Sequence, residues 1–436
     1  MASRAKQIYW AVLRAWKAGS AGELVERWES QTGDRELPDD HFETMVYYAD
    51  GVVNLYQLRQ WFEPLRKLDE QSPVALVCRS ASSALALLEE SPVPVIYAPR
   101  MENIEDLVNR QRFKMSLYVN QNTRNFQMMR INSLLHVFIS HGESDKSYMV
   151  SGQMKAYDYA FIAGDAAASR LSKALLGYDV ATRTKRIGRP QMDFVPQGGP
   201  NLPADGRTVV FYAPTWEGDR PSMSYGSLTS HGIEMATALL ASPDHRLIFR
   251  AHPRTGVVSK EHQAARERIE EMIARANLAD PRAQHFADTT PSFDWQFHAA
   301  DACITDVSAV AIDWLTTGKP LIVTRPASPT ATLPTEGFLA DTRTFPRKHA
   351  ANVLAELQAV ADDEEQKATR AAWTQWYFGD TTPGAPSAAW LQACSEVRDQ
   401  RDQWLAQLSH GVERQPEAAA EIRRPTNDLE EMEFES

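Results

Sequence analysis

Cysteine is scarce: Cys78, Cys303 and Cys394 are the only three in 436 residues, too far apart for a metal knuckle or a disulfide framework. Cys78 and Cys303 sit inside apolar runs, which reads as a protein of the reducing cytoplasm. No apolar stretch approaches the length of a membrane span, and no signal-peptide core precedes a cleavage site. Any membrane contact is therefore expected to be peripheral. Positive charge is also in deficit, with 46 Lys and Arg against 57 Asp and Glu and a formal charge of −11. That balance argues against a nucleic-acid partner, since non-specific binding needs a basic face to displace counterions. Neither a GxGxxG fingerprint nor a GxxxxGK[ST] loop occurs, which weakens a dehydrogenase or a P-loop ATPase. No cluster with metal-ligand spacing is visible, so neither a metal nor a cofactor is expected.

What is present is one repeated theme. Short β-rich runs stop at polar or glycine-bearing corners, and helical segments follow. The runs are Val74–Val77, Val93–Tyr97, Val137–Ile139 and Ala160–Ile162, then Val209–Tyr212, Leu247–Phe249, Ala302–Ile304 and Leu321–Val323. Apolar runs of this length alternating with helices predict parallel sheets covered on both faces. The length predicts two domains. The Pro-, Gly- and Asp-rich stretch 190–206 reads as their joint. The expected α/β architecture is two facing Rossmann-like domains, 21–195 on the acceptor side and 205–385 on the donor-nucleotide side, with a C-terminal helix at 386–410. Ahead of them, 1–20 carries Arg4, Lys6, Arg14 and Lys17 without an acid. Ile8, Val12 and Trp16 align at helical spacing, a basic amphipathic helix that either docks on the domain or lies on an anionic membrane surface. Residues 411–436 are Pro-, Glu- and Ala-rich and read as a disordered acidic tail.

Four corners concentrate the chemistry. The run at 302–304 ends in Thr305-Asp306, and Ser308 then opens a helical segment. A strand running into a helix N-terminus favours a phosphate, through Ser308 and the backbone N–H groups. Asp306 reads as a cap for that helix or a partner for a ribose or glycerol hydroxyl. Arg250, His252 and Arg254 alternate after another strand, so in extended chain they point one way. Thr215 and Trp216 follow a third, where an indole face suits a nucleobase. His141 follows a fourth with Gly142 and Glu143 behind it, and an imidazole titrates near neutrality as a general base should. Glu143 is the alternative base, or the group that orients His141. Lys146 and Arg189 are further candidates for charge neutralisation.

In this order, HGESDK (141–146), GRPQMD (188–193), YAPTWEG (212–218), FRAHPR (249–254) and ITDVSAVAIDWL (304–315) resemble the CDP-glycerol glycerophosphotransferases, the primases and polymerases of wall teichoic acid. The resemblance covers about residues 135–330. Glu143-Ser144 replaces the family's Thr-Pro, Glu217 its arginine, and Val307 and Ala309 its aromatic and second serine. The resemblance implies a CDP-linked donor held by His252, Arg250 and Arg254 and a polymer or lipid-linked acceptor deprotonated by His141. A glycerol phosphate, or a related polyol or sugar phosphate, would be transferred with release of CMP. Two rivals remain open at this point: a glycosyltransferase of the same architecture using a UDP- or GDP-sugar, and a non-catalytic nucleotide-binding scaffold of the cell envelope.

Overall fold

The computed structural model describes residues 22–33, 35–143, 150–194, 199–218, 220–290, 293–331 and 333–413. The amphipathic segment expected at 1–20, Lys146, and all but the first three residues of the tail expected at 411–436 lie outside them.

The first sheet contains β1 (Thr44–Tyr48), β2 (Val74–Cys78), β3 (Val95–Tyr97), β4 (Met115–Tyr118), β5 (Leu135–Phe138), β6 (Tyr159–Ile162) and β7 (Thr184–Arg186) in the spatial order β3-β2-β1-β4-β5-β6-β7. The second contains β8 (Thr208–Ala213), β9 (His245–Phe249), β10 (Phe286–Ala287), β11 (Ala302–Thr305), β12 (Leu321–Thr324) and β13 (Thr344–Phe345) in the order β10-β9-β8-β11-β12-β13. Every pair is parallel. Both sheets start in the middle, wind to one edge and then return to the other side. The switch points fall between β1 and β4 and between β8 and β11, where a crevice opens beyond the strand ends. The result is the expected pair of Rossmann-like domains in a GT-B arrangement.

The strands are apolar on both faces because helices cover both. All five residues of β2 and all four of β11 are buried. One core on the first sheet gathers Val46, Leu76, Leu117 and Val137, and the opposite one Met45, Ala75, Tyr118 and Phe138. Alternate residues thus feed opposite cores, each buried aliphatic side chain contributing about 1.5–3 kcal/mol. All eight anticipated strands are present. Five more were not anticipated: β1 and β4, whose runs include Thr44 and Ser116, the charged edge strand β7, and the two-residue β10 and β13.

The chain ends by crossing back to the first sheet. The helix Glu364–Phe378 packs on the helix Asp165–Ala174. A Cβ on Gly164 would lie 2.5 Å from the Tyr377 carbonyl oxygen, so only glycine permits that approach. The last helix, Ala385–Glu413, seats Trp390 against Trp61 (5.0 Å between ring centroids) and Phe161 (5.8 Å). The Trp390 indole N–H donates to the Pro64 carbonyl at 3.2 Å. Instead of standing apart, the C-terminal helix completes the first core. No helix among the described residues is long and apolar enough to cross a membrane.

Candidate functional site

Beyond the second sheet, β8, β9 and β11 end side by side, with Thr305 opposite Ala213 and Tyr212 opposite Phe249. Thr215, His252 and Ser308 thus follow the ends of three neighbouring strands. The chain turns at His252, whose carbonyl accepts the Thr255 N–H at 2.8 Å and whose Nδ1 accepts the Arg254 N–H at 3.1 Å. A ring whose Nδ1 accepts carries its proton on Nε2 when neutral. His252 is thereby set as a hydrogen-bond donor through Nε2, the polarity a phosphate oxygen requires.

The three cations do not converge as expected. Arg250 turns into the protein, donating to Asp288 at 2.6 Å and to the Thr290 carbonyl at 3.0 Å, with its guanidinium over Phe293. Arg254 is exposed and lies 3.9 Å from the centre of the Trp216 ring, with His252 stacked 6.4 Å from the same ring. Trp216 therefore serves as a platform for Arg254, where an open face for a nucleobase was expected. Glu217 has its own task. Its carboxylate accepts the N–H groups of Gly256 (3.1 Å), Val258 and Ser259 (2.9 Å each), fixing the loop after His252. Burial would raise its titration point, but these backbone donors outweigh it and hold the carboxyl below its ordinary value.

At the β11 corner the expected roles shift as well. Asp306 is fully buried and neither caps the following helix nor faces the crevice. It accepts the Thr215 N–H at 2.7 Å, the Ser227 N–H at 3.1 Å and the Thr324 hydroxyl at 2.5 Å, tying the end of β12 to two loop segments. Burial pushes it up to about 6, with its hydrogen bonds pulling the other way. Thr305 is also buried and donates to the Ala213 carbonyl at 2.7 Å. Ser308 takes the N-cap position with extended backbone, and its hydroxyl is 3.2 Å from that of Thr305. The helix it opens is the six-residue Ala309–Trp314.

Beyond the first sheet, the ends of β1, β4 and β5 carry Asp50, Asn120 and Ser140, each two residues past its strand. Ser140 takes the left-handed conformation (φ 60°), a strained choice for a residue with a Cβ, and the Trp61 indole holds its carbonyl at 2.7 Å. This turn swings the His141 ring back over β4, where Nδ1 lies 3.0 Å from the Val119 carbonyl. A carbonyl only accepts, so Nδ1 carries the proton and the lone pair belongs to Nε2. His141 and His252 are thus set in opposite senses. Glu143 is buried and ion-paired with Arg170, so it is committed as a counter-ion rather than poised as the alternative base. His136, inside β5, is buried between the Tyr118 hydroxyl (2.7 Å) and the Ile131 carbonyl (3.0 Å) and belongs to the core.

Arg189 was expected near the donor phosphates, but it is buried in the joint. Its guanidinium lies 3.3 Å from Asp313 and 3.8 Å from Asp294, both of the second half, and donates to Gln60 of the first at 3.3 Å. Burial raises both carboxyls, Asp313 to about 6, with Arg189 opposing. His141 also lines a cavity of about 520 Å³ with Asp50, Tyr56, Gln57, Asn120, Gln121, Asn122, Thr123, Phe138 and Ser140. Sequence reasoning passed over these polar residues. The available signal was the one that found His141, an apolar run broken by a polar corner, at TMVYYAD and MSLYVN.

The comparisons with known proteins bear on the fold and the family. The Wall Teichoic Acid Polymerase TagF shares the fold at 13% identity, with 82% of this chain and 89% of that one covered and a TM-score of 0.53. A variant of that polymerase with CDPG gives 13%, 82%, 89% and 0.50. A glycosyltransferase from Rickettsia africae gives 11%, 83%, 98% and 0.48. No curated protein matches by sequence. The family profile of CDP-glycerol:poly(glycerophosphate) glycerophosphotransferase matches residues 68–377, a span that runs from just before β2 past the whole second sheet. With most of its length inside that match and both halves of the fold accounted for, the chain is a transferase and belongs to the CDP-glycerol:poly(glycerophosphate) glycerophosphotransferase family.

Proposed function

We propose that this transferase moves a glycerol phosphate from a CDP-activated donor to a hydroxyl of a polymer or lipid-linked acceptor and releases CMP. The observation that carries the reading is the opposed hydrogen bonding of two histidines at the two switch points. Val119 takes the Nδ1 proton of His141, which leaves the lone pair of the neutral ring on Nε2. The Arg254 N–H takes the Nδ1 lone pair of His252, which leaves the proton of the neutral ring on Nε2. One ring is prepared to accept a proton and the other to donate a hydrogen bond.

In the proposed step the acceptor hydroxyl loses its proton to Nε2 of His141 as its oxygen attacks the β-phosphorus. The bond between that phosphorus and the oxygen bridging to the α-phosphate breaks, and CMP departs with the electron pair. His252 stabilises charge on the transferred group, with Arg254 and Ser308 at the same crevice as further donors. Phosphoryl transfer draws most of its acceleration from such positioning and charge stabilisation. Arg250, Asp306, Thr305 and Glu217 act behind them, holding the loops that present these groups.

Incubation with CDP-glycerol and a glycerol-phosphate-bearing acceptor, followed by separation of the released nucleotide, tests the reading. CMP is the expected product. Release of CDP would mean cleavage on the other side of the β-phosphate and would overturn it.

A further inference from the structure

Arg189 has a position that the transfer step leaves unused. Its segment is clamped on both sides: the Gly188 N–H donates to the Ala163 carbonyl at 3.0 Å, and Asp193 accepts the N–H groups of Gly384 at 2.9 Å and Ser387 at 2.7 Å. The side chain is buried, and its guanidinium faces two ways. Toward the first half it donates to Gln60 at 3.3 Å. A Cβ on Gly142 would lie 3.7 Å from Nη1, so the guanidinium also lies against the residue that follows His141. Gln60 precedes Trp61, whose indole holds the Ser140 carbonyl on the other flank of His141 at 2.7 Å. Toward the second half the same group meets Asp313 at 3.3 Å and Asp294 at 3.8 Å. Asp313 is buried in Ala309–Trp314, the helix that Ser308 opens.

One fork thus touches both the turn that aims the ring of His141 and the helix that Ser308 begins. A guanidinium offers five donors in a rigid plane and can hold several partners at set angles. Burial works against the charge of both carboxyls, and Arg189 is the strongest opposing influence on each, with His298 and Arg250 assisting at Asp294. Asp294 Oδ1 and Asp313 Oδ1 accept no hydrogen bond among the described residues, so their charge depends chiefly on that guanidinium, and a buried pair of this kind resists separation. We propose that Arg189 is a positioning residue that locks the two halves in register, so that the His141 corner and the Ser308 corner act on the same bound substrates. Its effect on rate rests on the transfer reading above; its effect on shape rests on the ion pairs alone.

Spin-label distances and turnover, measured on the full chain, test this together. The native cysteines are buried, so labels can be confined to Leu176→Cys in the first half and Leu278→Cys in the second, at positions 91% and 83% exposed. With Arg189 in place the label pair should give one narrow distance. Arg189→Met and, from the opposite half, Asp313→Asn should each broaden it. In unlabelled protein the same changes should lower kcat by about one to two orders of magnitude, because misplacing reacting groups by about 1 Å is enough. Calorimetric affinity for CDP-glycerol should stay at the wild-type value, which also shows that the variants fold. The double variant should be no slower than the slower single one, since both changes break one link. Asp313→Asn, which keeps the shape of the side chain, decides alone if Arg189→Met does not fold. A distance distribution unchanged in the variants, or a broadened one with wild-type kcat, would overturn the assignment. A donor affinity that falls as far as kcat would overturn it too, by placing Arg189 at the donor instead. A wild type with one narrow distance, broadened by the variants, that does not release CMP would sink the transfer reading and leave the lock standing.

Discussion

After the strands of the first sheet come Asp50, Asn120 and Ser140, with amides between them and one histidine whose Nδ1 donates to a backbone carbonyl. After those of the second, the loops carry an exposed Arg254 on Trp216 and a histidine whose Nδ1 accepts a backbone N–H. The two sheets share one winding, and the backbone delivers residues to corresponding places in both. What differs is the two or three residues after each strand. The comparison teaches that this fold supplies two corresponding sets of strand ends, and that the histidine after each is hydrogen-bonded through Nδ1 in the opposite sense, the difference on which the proposed roles rest.

The comparison can be broken most directly at His141. His141→Ala should lower kcat by about two to four orders of magnitude while calorimetric affinity for CDP-glycerol stays at the wild-type value. A loss of donor affinity with unchanged kcat would exchange the roles of the two crevices. His252→Ala should act in the other column, weakening donor binding by about one to two orders of magnitude through loss of a charge-assisted contact. Retained affinity there would remove His252 from the phosphate. The smallest effect is expected at Glu217. Glu217→Ala strips three backbone N–H groups of their acceptor and should cost about 1–3 kcal/mol of stability in denaturant titration. It should also raise KM for the donor more than it lowers kcat, because the loop it holds follows His252. A variant with the wild-type midpoint would show that the loop holds its shape without that carboxylate.

Much of the second crevice was legible in the chain. Its strands are pure apolar runs, and the corners after them carry rare combinations such as FRAHPR and ITDVS. Which polar side chains face the crevice was not legible. Arg250 and Arg254 have the same alternation, yet the first is drawn inward by Asp288, thirty-eight residues further on, and the second outward onto Trp216. Asp306 has the sequence position of a cap, but its carboxylate is claimed by N–H groups far away in the chain. Long-range partners decide such cases, and a local pattern does not contain them. Of the first crevice only the His141 corner was legible, and the rest was hidden for a different reason. Its strands, β1 and β4, dilute the apolar signal with Thr44 and Ser116, both buried in the sheet. Without those strands Asp50 and Asn120 look like loop residues. The shape of the joint was similarly hidden, since Arg189, Asp294 and Asp313 come together from three separate segments.

The return of the last helix to the first sheet sets the order in which the molecule can assemble. Trp390 reaches the Pro64 carbonyl across 326 positions of sequence, and the core around Trp61 is incomplete until it arrives. During synthesis at about 5–20 residues per second, the first half therefore waits on the order of tens of seconds with an open apolar face. The second sheet, contained within 208–345, has no such delay and can close on itself first. The earliest-made half of this enzyme is thus the last to be finished, and the closing of that loop is the slow, high-separation contact on which its folding rate depends.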